Sequence, residues 1–163
     1  MSAVADTCFM VNWSNFRRNK DLFKRFTINL PILVIDEVKD IRTKRFIANW
    51  IVRGGVRILP SLPSIDTETL KLIRLSENIP SLPRIDPPET YGLIYAKILK
   101  IPFLTDNKAP KRIVKIIKEY EEVNVLDSLD VLKLIYRKEN ILKRRIEDFM
   151  RDTGIKFSTV RLR

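Results

Sequence analysis

A chain of 163 residues that is 45% hydrophobic is the size of one folding unit and can bury a core without staples. Its 31 Lys and Arg against 20 Asp and Glu give a net charge of +11, which suits a polyanionic partner, nucleic acid ahead of membrane. With no histidine, one cysteine (Cys8) and four glycines in no phosphate-loop or dinucleotide pattern, the chain excludes an internal disulfide, the usual zinc sites, imidazole-based hydrolysis and nucleotide-driven motors.

At the amino terminus Ala3-Val4-Ala5 predicts a short strand running directly into Asp6-Thr7, where a signal peptide would carry basic and apolar regions. No apolar run approaches the ~18 residues of a spanning helix, so no membrane partner is expected and the expected location is the cytoplasm. Phe9 to Phe26 reads as one or two helices, with Cys8 a small buried residue beside the strand. Trp13, Phe16, Phe23 and Trp50 divide between core packing and stacking on unpaired bases or a partner. Thr27 to Leu30 is extended, and Pro31 then permits a helix that turns Val34, Ile35 and Val38 inward and holds Asp36 and Glu37 in its early turns. From Ile41 to Ile65 the only charges are five bases, Arg42, Lys44, Arg45, Arg53 and Arg57, mostly on a helix closed by Gly54-Gly55.

Val56 to Leu59 predicts a strand ended by Pro60, and Ser61 to Pro88 a helix between loops, capped by Asp66 and anchored by Leu70 and Ile73. After Pro87-Pro88 comes Glu89, in the first turn of a helix whose run from Tyr91 to Leu99 is apolar on most sides, as one packed between layers would be. Pro102 to Asp106 reads as a brief buried strand ending in an acid. Lys108 to Tyr120 reads as a helix with Ile113, Ile116, Ile117 and Tyr120 inward and Lys111, Lys115 and Lys118 outward. A strand at Val123-Asn124-Val125, a helix opened by Asp127 or Ser128, a last helix ended near Gly154 and a loose strand from Ile155 to Arg163 complete the chain. The absence of Gln and the density of Ile, Lys, Arg and Glu fit a source in a very hot environment, a bias that codon usage also produces.

Strands alternating with helices predict an α/β fold: one domain over residues 1–157, with a mainly parallel sheet of four or five short strands flanked by helices, and a basic tail at 158–163. In such sheets the ligand site lies beyond the carboxyl ends of the strands, where strand order reverses. Asp6 and Asp106 follow strand ends, and Glu37 and Glu89 lie near helix starts, so the four can meet in one cleft. Four carboxylates gathered without cations oppose folding. Oxygen-only ligation suits Mg²⁺ or Mn²⁺, and such ions hydrolyse phosphodiesters without histidine. Taken singly, each acid reads more readily as a cap or a solvated turn residue.

Four segments, in order and at domain-compatible spacing, lift the set above that reading: Val4-Ala5-Asp6-Thr7; Pro31-Ile32-Leu33-Val34-Ile35-Asp36-Glu37-Val38; Glu89-Thr90-Tyr91-Gly92-Leu93-Ile94-Tyr95-Ala96; and Leu104-Thr105-Asp106-Asn107-Lys108-Ala109. They resemble a PIN domain, the metal-dependent ribonuclease fold that includes the VapC-type toxins of prokaryotic toxin–antitoxin pairs. Val125-Leu126-Asp127-Ser128-Leu129-Asp130 resembles the family's late strand-to-helix step, so the likeness runs from Ala3 to about Phe157. The resemblance implies an Mg²⁺- or Mn²⁺-dependent endoribonuclease in which Asp6, Glu37, Glu89 and Asp106 bind or orient metal and Thr7 and Thr105 support them. It implies RNA as substrate and an antitoxin protein as partner, and leaves a homodimer open. Asp36 is the rival of Glu37 and matches the motif less well.

Two departures stand out. Asn107 replaces the second Asp of many relatives, keeping an oxygen ligand for metal but losing a charge, and Pro87-Pro88 replaces the small residues usual before Glu89. They open the alternative of a PIN-like module that binds RNA or protein without cutting; a deoxyribonuclease is a third reading. The cations expected to draw in a phosphate backbone are Arg42, Lys44, Arg45, Arg53, Lys108, Lys111 and Lys115.

Overall fold

The computed structural model describes residues 1–157; the expected basic tail at 158–163, and the part of the loose strand that runs through it, lie outside the described residues. Five short strands carry the sheet: β1 (Ser2–Ala5), β2 (Thr27–Pro31), β3 (Val56–Leu59), β4 (Phe103–Leu104) and β5 (Val125–Leu126). Their order is β3-β2-β1-β4-β5 and every pair is parallel, so the chain is an α/β fold as expected. Parallel neighbours need crossover connections, and helices supply them. α1 (Thr7–Asn15) and α2 (Lys20–Phe23) join β1 to β2, and α3 (Ile32–Glu37) and α4 (Ile41–Val52) join β2 to β3. α5 (Pro63–Asn78) and α6 (Pro87–Leu99) lead to β4, and α7 (Lys108–Ile116) with a 3-10 turn (Lys118–Tyr120) leads to β5. α8 (Ser128–Ile135) and α9 (Glu139–Thr153) follow, and Gly154 closes α9 in the left-handed conformation, φ +76°.

Successive strand residues face opposite sides of a sheet. Ala3, Ala5, Ile28, Leu30 and Leu104 join one core with Phe9 and Trp13 of α1, Phe46 of α4 and Phe149 of α9. Val4 and Phe103 join the other, with Leu72 of α5, Tyr91 and Ile94 of α6 and Ile113 of α7. Helices cover both faces, which is why β1 is apolar at Ala3, Val4 and Ala5 alike instead of alternating. Trp13 and Phe16 are wholly buried, whereas Phe23 and Trp50 are partly buried and stack on each other with ring centroids 3.9 Å apart.

Several elements differ from their sequence expectation. α3 ends at Val38, whose backbone is extended, because Asp40 caps α4 by accepting the N–H groups of Arg42 and Thr43 at 3.2 and 2.8 Å. Asp36 and Glu37 therefore close a helix instead of opening one. α5 starts at Pro63, three residues before Asp66, since proline suits the first helical position. Asp66 is then inside the helix and not its cap, the inward face is Ile65, Thr69, Leu72 and Ser76, and Leu70 is exposed. Ile117 turns extended, so α7 stops at Ile116, which is exposed, and Tyr120 reaches the core from the 3-10 turn. β5 falls at Val125–Leu126 instead of 123–125 because β4 offers only Phe103 and Leu104 for pairing. Cys8 is half-buried.

Gly92 sets the contact between α6 and β4: a Cβ built there would stand 2.4 Å from Phe103 Cε2 and 2.7 Å from its Cζ. Phe103 is fully buried and cannot swing into solvent. Gly92→Ala is expected to destabilise the protein by about 1–3 kcal/mol through overpacking, read as a lower urea midpoint at unchanged slope; an unchanged midpoint would mean that the sheet and α6 move apart freely.

Candidate active site

β1 and β4 are the neighbours at which strand order reverses, with β2 and β3 on one side and β5 on the other. The crevice beyond their carboxyl ends is the ligand position of such sheets, and the residues just past them are Asp6, Thr105 and Asp106.

Asp6 follows β1 and caps α1. Its extended backbone aims the carboxylate at the Phe9 N–H, 2.9 Å away. It also accepts from the Thr105 hydroxyl, and the Cys8 thiol donates at 3.1 Å. Asp6 is 1% exposed. Burial pushes its pKa from the ordinary 3.8 up to about 7, against the lowering effect of the three donors, and the charge of Asp106 adds to the rise. Burial and the same carboxylate push the Cys8 thiol upward too, which holds it as a donor and not a nucleophile.

Glu89 is the third residue of α6. Asp86 caps that helix by accepting the Glu89 N–H at 3.1 Å, and Pro87 and Pro88 fill the first two positions, where the missing N–H costs nothing. The prolines that depart from the family pattern thus build the helix start and leave Glu89 buried at 6% exposure. Burial lifts its pKa to about 7, with Asp86 and Asp6 adding to the rise. The Asn107 side-chain amide donates to Glu89, while its Oδ1 caps α7 by accepting the Ala109 N–H at 3.1 Å. The Asn107 backbone N–H donates to Thr105 Oγ1 at 3.0 Å, so the wholly buried Thr105 relays between Asp6 and the Asn107 turn.

Asp106 faces α8. It accepts from Asn12 Nδ2 at 2.8 Å, from the Ser128 N–H at 2.8 Å and from the Ser128 hydroxyl at 2.7 Å. Burial raises its pKa even so. Glu37, exposed at the end of α3, accepts from the Thr7 hydroxyl, one residue past Asp6. Asp36 lines a separate cavity with Ile35, Val38 and Lys44.

The fold therefore places Glu89 and Asp106 each within electrostatic reach of Asp6 and brings Glu37 beside Asp6 through Thr7. Among the described residues none of the four forms an ion pair. Also among the described residues, no three Asp, Glu or Cys side chains are arranged to hold a metal ion; Thr7, Thr105 and Asn107 stand between the acids as hydrogen-bonding links. By chemistry the donor set fits a hard divalent cation: its ligands are oxygens, and burial holds Asp6 and Glu89 in a tension that such a cation relieves.

A cleft of about 680 Å³ opens beside Asp106, lined by Cys8, Asn12, Lys108 and Lys111, with Lys156 and Phe157 also on its wall. Lys111 is bonded to Asp127 and Asp130 at 2.8 Å each, whereas Lys108 and Lys115 are exposed. Arg42, Arg45 and Arg53 line a groove on α4, and Lys44 lies outside it.

Asn12, Ser128 and Asp86 are the site residues that the sequence reading missed as functional. Asp86 was within reach as the start of an Asp-x-x-Glu capping pattern. Ser128 also accepts from the Trp13 indole N–H at 3.1 Å, so Ser128→Ala strands a wholly buried donor as well as one bond to Asp106. A loss of about 1–3 kcal/mol in urea denaturation is expected; a loss of a few tenths would mean that water replaces the hydroxyl. No family model and no curated protein matches the chain.

Proposed function

We propose that the chain is a divalent-metal-dependent endoribonuclease that hydrolyses RNA phosphodiesters. The observation that carries this reading is the group of acids at the switch point of a parallel sheet, without a cation partner among the described residues, in a chain whose net charge is +11. Asp6, together with Glu89 and Asp106 once their side chains turn from Asn107 and from Asn12 and Ser128, would hold Mg²⁺ or Mn²⁺, with Glu37 at the rim. When bound, such an ion activates water and stabilises charge on the phosphate oxygens. The chain's own residues do the rest: the Phe9 N–H and Thr105 fix the Asp6 carboxylate, Asn12 and Ser128 fix Asp106, and Lys108 at the cleft edge draws in phosphate.

A second reading, an RNA-binding module that does not cut, is favoured by one feature: three protein donors already engage Asp106, and both ends of the Asn107 side chain are committed. Calorimetric titration with Mn²⁺ and cleavage of labelled RNA with and without chelator separate the two. Saturable Mn²⁺ binding and chelator-reversible cleavage are expected; chelator-insensitive RNA binding without cleavage favours the module. A toxin role under antitoxin control rests on the family resemblance, and growth arrest on expression, lost in Asp6→Asn, is its expected sign.

A further inference from the structure

Positions 42, 45, 46, 49, 50 and 53 share one face of α4 and its C-cap, and they carry Arg42, Arg45, Phe46, Asn49, Trp50 and Arg53. With Asn19 and Lys20 at the start of α2 they enclose a groove of about 290 Å³. No Asp or Glu lines it. Among the described residues, none of Lys20, Arg42, Arg45 and Arg53 forms an ion pair. Asp40, the acid that precedes α4, turns its carboxylate onto the N–H groups of Arg42 and Thr43 and the Thr43 hydroxyl. The Arg53 guanidinium lies 5.5 Å over the Trp50 ring, which itself stacks on Phe23, so its position is set before any ligand arrives.

We propose that this groove binds the phosphate backbone of single-stranded RNA, as a site separate from the acid cluster and independent of whether the acids cut. Planar guanidinium groups match phosphate oxygens in pairs. The floor offers no recess for the apolar anchors by which peptides dock, because Phe46 is 8% exposed and the Trp50 ring is engaged by Phe23 and Arg53. α1 connects groove and acids: Asp6 caps its start and Ser14 lines the groove near its other end, about 12 Å along the helix axis.

The test measures fluorescence anisotropy of a labelled oligouridylate with the full chain in chelator, across a salt series from about 50 to 200 mM. Arg42→Gln/Arg45→Gln/Arg53→Gln is expected to weaken binding at least about tenfold and to reduce the salt slope by about 2, at ~0.7 per lost phosphate contact on a single strand. The control, Lys97→Gln/Lys100→Gln/Lys118→Gln, removes the same charge from a cleft beside Pro102, at the amino end of β4, and is expected to leave most of the affinity. Equal loss in both triples overturns the proposal, since net charge alone would explain it. Tighter binding of polyglutamate than of the oligonucleotide overturns it in favour of an acidic protein partner. Of the two tryptophans, Trp13 is wholly buried, so oligonucleotide is expected to quench Trp50 emission and to lose that effect in Trp50→Phe; binding without any quench places the ligand elsewhere and also overturns the assignment. Because chelator is present throughout, failure of metal-dependent cleavage leaves these results untouched.

Discussion

Asp6→Asn is expected to lower metal-dependent RNA cleavage by at least about a hundredfold, the scale set by several kcal/mol of lost charge stabilisation, while leaving the fold in place. The expectation rests on how little else the substitution changes. Asparagine keeps an oxygen for the Phe9 N–H, which Asp6 now accepts at 2.9 Å, and is as good a cap for α1 as aspartate. Its amide can donate to Thr105 Oγ1 in place of the bond that Thr105 now donates. What disappears is the negative charge. The same variant should be more stable than the parent at neutral pH without metal, because a pKa raised from 3.8 to about 7 measures a penalty on the order of 4 kcal/mol for ionising that buried group. Cleavage assays and guanidinium denaturation of the same preparation read both effects. Cleavage that survives in Asp6→Asn would remove Asp6 from the chemistry and leave it as a helix cap.

The second large effect is on stability as a function of pH. In the unfolded chain Asp6 and Glu89 ionise near 4; in the folded chain both are raised to about 7. The folded state binds their protons more tightly, so the stability they confer is full below about pH 4 and is lost as pH rises to about 7. Acids held below their ordinary range by cations, Asp21 by Lys24 and Asp152 by Arg17, act in the opposite direction and only in the acid limb. Their contribution is present above about pH 4 and disappears as pH falls through their lowered values. The metal-free protein should therefore show its highest guanidinium midpoint near about pH 5 and a lower one near about pH 7.5. Mn²⁺ added at the higher pH should restore the loss in the parent, since binding to the folded state stabilises it by mass action, and should do little in Asp6→Asn. A midpoint that stays flat between the two pH values would show that water or rearrangement already relieves the buried carboxylates.

The positions of Asp6, Glu89 and Asp106 were legible because each depends on local signals: an apolar run ending in an acid, or an acid after prolines that start a helix. Their partners were not. Asn12 reaches Asp106 across 94 positions and Thr105 reaches Asp6 across 99, distances bridged only by the pairing of β1 with β4. Side-chain direction beyond an element's end is set by that register, and no periodicity encodes it. The same limit applies to the cations. Lys111 reads as an outward lysine of an amphipathic helix, yet it is tied to Asp127 and Asp130. Lys20, absent from the expected set, joins Arg42, Arg45 and Arg53 because α2 packs where it does. The early end of α3 was legible in principle: Asp40 before the Ile41–Val52 run is a cap signal that outweighs the continuation of a short helix.

β1 sits in the middle of the sheet although it comes first in the chain. During synthesis it can pair with β2 after some thirty residues, but its other edge waits for β4, near residue 103. Until then the carboxylate of Asp6 has neither Thr105 nor Asp106, and one flank of the central strand is open. Such long-range closure is slow and exposes an unpaired edge, so the emerging polypeptide passes through a stage in which half the sheet is built and the crevice between β1 and β4 does not yet exist. The cleavage proposed for that crevice would thus be withheld on the ribosome until well over half the protein has been translated.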